Sequence, residues 1–422
     1  MTSTRPHPFP SARCVAVAAL VGSLTALPPA EANAASSRTE ARTASRTESR
    51  TALADGAVVS AQVLAVLSAD EVAEALRGKI DAGQVRHGVT AYRVAYRTRN
   101  SSGAPTTASQ LVVLPRSERR RLTAVSWLHG TTVYRKDVAS VNPDSGDRLA
   151  ALLLASTGRA VSAPDYVGLG TGEGFHPYGD PRATVAAAVD GLRAARTLAH
   201  RTGRELHRDV QVSGFSQGGH ATMLVGRALG QERADPYFRP GALAPVSGPF
   251  HLSAFEAAAA DDEISKSGLY LAYFATAWKK AYGLYGSPSD VFRPPYDRTV
   301  EGLFDGHHTT EEIAGALPGA ARDLFTEDFL AKVRRPTGLL AERLRPLDRA
   351  CDWRPGVPVE LFHGRGDRDV DFSHSAYCAR RLTANGAPHR LTDVGDLDHN
   401  ASMREALPRI VRFFEAAERG PH

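Results

Sequence analysis

Five residues, Gly214-Phe215-Ser216-Gln217-Gly218, constrain this chain more than any other segment. They form a Gly-x-Ser-x-Gly pattern between an apolar run, Val210-Gln211-Val212, and a helix-like stretch from Gln217 to Leu229. A strand, a sharp turn and a helix in that order lift a serine hydroxyl above the edge of a sheet. Side chains beside the serine would clash in so tight a turn, and the flanking glycines remove them. The pentapeptide alone is common and also suits a plain Gly-rich turn. Its strand and helix flanks are what make it informative.

A serine hydroxyl is a weak nucleophile until a base takes its proton and a third group orients that base. The chain after Ser216 offers both. Val357-Pro358-Val359-Glu360-Leu361-Phe362-His363 reads as a buried strand, followed by Gly364-Arg365-Gly366-Asp367. Next come a helix from about Ser373 to Leu382 and a strand from Arg390 to Val394. Asp396-Leu397-Asp398-His399 then precedes a C-terminal helix. Asp367 and His399 thus fall at the carboxyl ends of strands, and we expect them to be the acid and the base. Asp369 and Asp371 compete with Asp367, and all three could simply cap the next helix. His363, within a strand, and His389, at a strand entrance, compete with His399 but read better as structural histidines.

Attack on a carbonyl develops negative charge on its oxygen, which waiting N–H groups must meet. One donor is expected from the backbone of Gln217, directly after the serine. Thr123-Ala124-Val125-Ser126-Trp127-Leu128 reads as another strand, with His129-Gly130-Thr131-Thr132 as its loop. Gly130 allows close approach, and Thr131 or Thr132 would supply the second donor. Upstream, Tyr92, Val94 and Tyr96 alternate with Arg93 and Arg97, a half-buried strand. A turn at Asn100–Gly103 leads to a second strand over about Ala108–Leu114. Helix, strand, helix and strand then alternate through Val246, and the strand pattern resumes only at Val357.

Together these segments resemble the secretory lipase/esterase group of bacterial and fungal α/β-hydrolases. The matching pieces are Ser126-Trp127-Leu128-His129-Gly130-Thr131-Thr132, Ala163-Pro164-Asp165-Tyr166-Val167-Gly168-Leu169-Gly170, His176-Pro177-Tyr178, Gly214 to His220, Ser247-Gly248-Pro249 and His363 to Asp367. The resemblance implies a mostly parallel eight-stranded sheet flanked by helices, with a helical cap inserted after strand 6. It also implies hydrolysis of small-molecule or lipid carboxylic esters, with transient contact with lipid surfaces, and no cofactor. Some members carry an acidic side chain in the oxyanion loop, where this chain has threonines. A peptidase on the same fold, or a non-catalytic binding protein, are the alternatives. The expected organisation is 1–34 signal peptide, 35–55 leader, 56–250 first part of the core, 251–345 cap and 346–422 second part. Within the cap, Tyr270, Phe274 and Trp278 recur near helical spacing. They read either as core or as the apolar lining of an acyl site, which would favour medium-chain esters over acetate.

The N-terminus suggests export. Arg5 and Arg13 precede a mostly apolar stretch, Cys14 to Leu27, and Ala32-Asn33-Ala34 fits a cleavage site. Two cysteines would remain, Cys351 and Cys378, and an even pair in an exported protein suggests a disulfide. The 36–53 stretch repeats Arg-Thr among Ser, Ala and Glu and cannot build a core. The net charge of +5 is modest, and no nucleic-acid recognition motif accompanies it. Gly168 to Gly174 misplaces a glycine for a dinucleotide loop and reads as a flexible loop at the site mouth, with Asp165 as its anchor. His307-His308 with Glu311-Glu312 lacks zinc-ligand spacing, so no metal is expected.

Overall fold

The computed structural model describes residues 54–420. The expected signal peptide, Cys14 and nearly all of the leader lie outside the described residues. Strand β1 (Val58–Leu67) and the short helix α1 (Ala69–Leu76) lead to β2 (Val89–Arg99), β3 (Pro105–Pro115) and β4 (Arg121–Leu128). Helices and strands then alternate as α2 (Gly146–Ser156), β5 (Ala160–Pro164), α3 (Pro181–Arg201), β6 (Glu205–Phe215), α4 (Gln217–Gly230) and β7 (Arg239–Val246). A helical segment follows, containing α5 (Leu252–Ala260), α6 (Ser267–Tyr282), α7 (Val300–Leu303), α8 (Thr310–Ala316), α9 (Ala321–Leu324), α10 (Glu327–Arg334) and α11 (Gly338–Asp348). The sheet resumes with β8 (Val359–His363), α12 (Ser373–Ala384) and β9 (His389–Asp393), and α13 (His399–Arg419) closes the described chain.

All nine strands form one sheet in the order β1-β2-β3-β5-β4-β6-β7-β8-β9. The first three are antiparallel, and the six from β5 to β9 run parallel. The sheet therefore has nine strands where eight were expected. The additional strand is β1, at the edge. Its residues are largely exposed, including Val59, Val63 and Val66, and its pairing with β2 is interrupted by two register shifts. An edge strand with little burial and broken register has no clean alternation to read.

Side-chain alternation assigns the two faces. In β3, Val112 and Leu114 join the core with Ala187 and Leu192 of α3 and Met223 and Val225 of α4. Leu111 and Val113 join the opposite core with Leu153 of α2 and Ile410 and Phe414 of α13. Period-two alternation thus places helices on both faces, and the central parallel strands are buried toward their carboxyl ends. Helix α3 starts where its sequence says it should. Asp180 accepts from the Ala183 N–H at 2.6 Å, and Pro181 occupies the first helical position.

Strand order reverses at β4, which lies between β5 and β6. In such sheets the connections leave in opposite directions there and open a crevice at the carboxyl ends of the strands. The loop after β4 and the turn after β6 meet in that crevice. Cys351, just after α11, is joined to Cys378 of α12 by a disulfide, with both residues fully buried. The bond encloses β8 and the loop that carries Asp367. In the chain-entropy account, closing a loop of this size is worth about 3–4 kcal/mol.

Candidate active site

Ser216 sits between β6 and α4 with φ +56° and ψ −118°, a conformation that costs a non-glycine residue about 1–3 kcal/mol. Both its backbone groups are nevertheless paired. Its N–H donates to Val246 O at 2.9 Å, and its carbonyl accepts from the His220 N–H at 3.1 Å. A Cβ on Gly214 would come within 2.5 Å of the carbonyl oxygens of both Gly218 and Leu128. The elbow therefore needs glycine because neighbouring backbone passes so close.

Asp367, the expected acid, lies in the loop after β8. A Cβ on Gly366 would lie 2.7 Å from Asp396 Oδ1, so this loop packs directly on the loop that precedes His399. Asp367 is buried. Its Oδ1 accepts from the backbone N–H groups of Asp369 (3.0 Å) and Val370 (2.9 Å). Its Oδ2 lies 2.6 Å from His399 Nδ1 and 3.2 Å from His363 Nε2. Burial alone would raise the Asp367 pKa. The hydrogen bonds from His363 and His399, His399's charge and the Val370 N–H outweigh it and hold the carboxyl well below its usual range.

His399, the expected base, begins α13, whose N-cap, Asp398, accepts from the Ala401 N–H at 2.7 Å. Its ring packs on Phe215, the residue before the serine, with centroids 4.4 Å apart. A carboxylate can only accept, so His399 Nδ1 carries a proton, and in the neutral ring Nε2 is the acceptor. His363 is the residue that sequence reasoning undervalued. Its Nε2 donates to Val370 O at 2.9 Å as well as facing Asp367, and its Nδ1 accepts from the Ser375 hydroxyl at 2.8 Å. It is a satisfied histidine, as expected, but one of its partners is Asp367. Its place four residues before Asp367, across a Gly-x-Gly turn, was the available signal.

Ser216 and His399 line one cavity of about 400 Å³. Gly130, Thr131 and Thr132 form one wall, and a Cβ on Gly130 would lie 3.5 Å from Ser216 Cβ. Thr131 Oγ1 shares a hydrogen bond with the Tyr178 hydroxyl, and Thr132 O accepts from the Tyr273 hydroxyl, each at 2.9 Å. Among the described residues, neither Thr131 N–H nor Thr132 N–H donates to a backbone carbonyl. Gln217 opens α4, where N–H groups have no partner within the helix. Its buried side-chain amide is also unpartnered.

No protein-family model and no curated sequence matches this chain. Solved structures do. A proposed hydrolase of Legionella pneumophila is 26% identical with a TM-score of 0.79, over 86% of this chain and 99% of that one. The rice cell wall degrading esterase LipA of Xanthomonas oryzae is 25% identical with a TM-score of 0.75, over 86% and 98%. Candida antarctica lipase A, at 14% identity and a TM-score of 0.65 over 88% and 83%, shares the fold. The chain shares the fold of lipase/esterase-like α/β-hydrolases.

Other residues fall partly outside expectation. Tyr270 lines the cavity, but Phe274 and Trp278 do not. Both are fully buried, with rings 4.3 Å apart, and Trp278 Nε1 donates to Tyr178 O at 3.1 Å. The three share a helix face, yet only the start of α6 reaches the cavity, so the later turns serve the core. Asp371 is exposed and accepts from the Ser373 N–H, as a helix-capping acid should. Asp369, a competitor for the acid's place or a helix cap by sequence, instead lines the cavity, bonded to Lys266 and Tyr270. The loop from Gly168 to Gly174 is not part of the cavity wall. Asp165 does anchor it, accepting from the hydroxyls of Ser109 (2.6 Å) and Ser140 (2.5 Å) while Ser109 Oγ takes the Thr171 N–H.

Proposed function

We propose that this hydrolase cleaves carboxylic esters through an acyl-enzyme on Ser216. The observation that carries the reading is a single one. The strained serine shares a cavity with His399, whose Nδ1–H is held by buried Asp367 at 2.6 Å. His399 Nε2 takes the Ser216 proton as Oγ attacks the ester carbonyl. The oxyanion is met by the N–H of Gln217 and that of Thr131 or Thr132. His399 then protonates the leaving alcohol, and a water activated the same way releases the acid. Asp367 keeps the tautomer and stabilises the imidazolium.

The lining supports a short or medium acyl group carried on a polar substrate. Val133, Leu269, Tyr270 and Met403 offer apolar surface, whereas Asp137, Asn142, Asp144 and Lys266 are polar. We expect p-nitrophenyl butyrate or hexanoate to exceed acetate by about tenfold in kcat/KM, since each buried methylene adds up to about 0.8 kcal/mol. Palmitate should fall below butyrate, because polar walls end the apolar surface. A steady rise through palmitate would return the reading to a lipase. The carboxylates also offer a site for an amine, so alanine p-nitroanilide belongs in the panel. Turnover of that amide above the butyrate ester would replace the esterase reading with a peptidase.

The helical segment between β7 and β8 is proposed to act as the cap, since the start of α6 forms one wall of the cavity. Export is proposed as well. The Cys351–Cys378 disulfide suits an oxidising compartment, and among the described residues no helix is long and apolar enough to cross a membrane. Mass spectrometry of protein recovered from culture medium without reductant should find a chain beginning at Ala35 and a Cys351–Cys378 peptide pair. Retention in the cytosol with both thiols alkylatable would reject export.

A further inference from the structure

We propose that Asp369 is a positioning residue, fastening the start of α6 to the loop that presents Asp367 to His399. Asp369 has two handles. Its backbone N–H donates to Asp367 Oδ1 at 3.0 Å. Its carboxylate accepts from Lys266 Nζ at 2.6 Å and from the Tyr270 hydroxyl at 2.8 Å. Beside it, the Ser265 N–H donates to Arg368 O at 3.0 Å. Residues 265–270 and 368–369 are thus stitched together, one residue away from the acid. Lys266 and Tyr270 come from the helical segment, whereas Asp369 belongs to the sheet's own connection. Displacing the segment would release the Asp369 side chain, and with it one of the two N–H groups that hold Asp367 Oδ1.

An ordinary surface ion pair does not have this form. The Asp369 side chain is 9% exposed and faces the cavity, while Lys266 is 46% exposed and reaches in from the rim. Burial would raise the Asp369 pKa, but Lys266 and Tyr270 outweigh it and keep the carboxyl below its usual range. An ionised carboxylate, neutralised by one ammonium, therefore stands beside the base. The other groups around His399 are Asp367 and, behind it, His363; Asp137, Asp144 and Asp147 on the cavity wall; Tyr270; and Asp396 and Asp398 on its own loop. None of these groups is itself substituted when the Lys266–Asp369 pair is altered singly.

The two halves of the pair then act in opposite directions. Lys266→Met leaves an uncompensated negative charge beside His399, which favours the imidazolium. Asp369→Asn leaves an uncompensated ammonium, which disfavours it. A role in packing alone would lower activity in both variants without moving any titration.

The experiment follows the downfield Nδ1–H resonance of His399 against pH in the full chain, for wild type, Lys266→Met and Asp369→Asn. The acid limb of kcat/KM on p-nitrophenyl butyrate is measured beside it. We expect the midpoint to rise by roughly half a unit in Lys266→Met and to fall by a similar amount in Asp369→Asn. Turnover of Asp369→Asn should drop about tenfold, because a small displacement of the orienting group is costly. Midpoints that stay put, or move the same way in both variants, overturn the proposal. If Asp369→Asn does not fold, Lys266→Met decides alone, an upward shift supporting the assignment and an unmoved midpoint rejecting it. The inference rests on His399 as the base of an ester hydrolase only for its kinetic readout. Opposite shifts without any ester turnover would leave the coupling standing and remove the function.

Discussion

Ser216→Ala is expected to lose at least about 10⁵-fold in ester turnover, the scale on which serine-hydrolase nucleophiles fail when removed. It should also lose covalent labelling by a fluorophosphonate. The fold should survive the change. Alanine keeps the Cβ that the elbow already accommodates at φ +56°, and the backbone bonds to Val246 and from His220 do not involve the hydroxyl. An unchanged melting temperature with activity gone therefore identifies the nucleophile. Labelling of the alanine variant at the wild-type level would place the reactive serine elsewhere and end this reading of the elbow.

Asp367→Asn should cost about 10³–10⁴-fold at neutral pH; the upper figure is that of a serine protease whose orienting acid was changed in the same way. The geometry here says why. The two backbone N–H groups of Asp369 and Val370 require an acceptor, so the amide oxygen takes the place of Oδ1. The NH₂ group then replaces Oδ2 and points at both His399 and His363. His399 can accept from it only through an unprotonated Nδ1. Its proton must move to Nε2, the nitrogen that has to receive the serine proton. Stability should fall too. Because the folded carboxyl is held well below its unfolded pKa, its ionisation stabilises the fold at every pH above the unfolded value, near 3.9. That contribution is lost only as pH falls through the folded pKa, so wild type keeps it at neutrality and the Asn variant does not. Asp371→Asn, at an exposed helix cap, should stay within about fivefold of wild type. A reversal of that ranking would move the acid to Asp371.

The parts of the site that could be read from residues alone are those whose local geometry is set by a few neighbours. The elbow is one, since Gly214 and Gly218 are demanded by backbone contacts adjacent in the fold. The ends of β8 and β9 are another, since strand and turn patterns locate Asp367 and His399 without knowledge of the helical segment. What could not be read depends on packing between distant stretches. Asp369 looks like a solvated loop acid until Lys266 and Tyr270, about a hundred residues earlier, are brought against it. Tyr270, Phe274 and Trp278 look equivalent on a helix face, and only the direction of α6 separates a cavity residue from core. His363 read as structural because it lies within a strand; Val370 and Ser375 do satisfy its ring nitrogens, but its approach to Asp367 depends on how the Gly-x-Gly turn folds back. Strand β1 escaped because so little of it is buried.

The composition of the cavity wall bears on how a reaction cycle would end. Lys266 is the only lysine or arginine among the lining residues, and Asp369 already occupies it. Asp137 faces the same space without a salt bridge among the described residues, whereas Asp144 meets Lys79 at 3.5 Å and burial pushes the Asp147 carboxyl above its usual range. An ester arrives neutral at its reacting carbon, but hydrolysis at neutral pH turns that carbon into a carboxylate. In a partly enclosed site, where charges a few ångströms apart interact more strongly than in water, like charges repel the product that forms beside them. In the proposed cycle a wall of this charge would favour release of the acid, so an accumulating product would trouble turnover little.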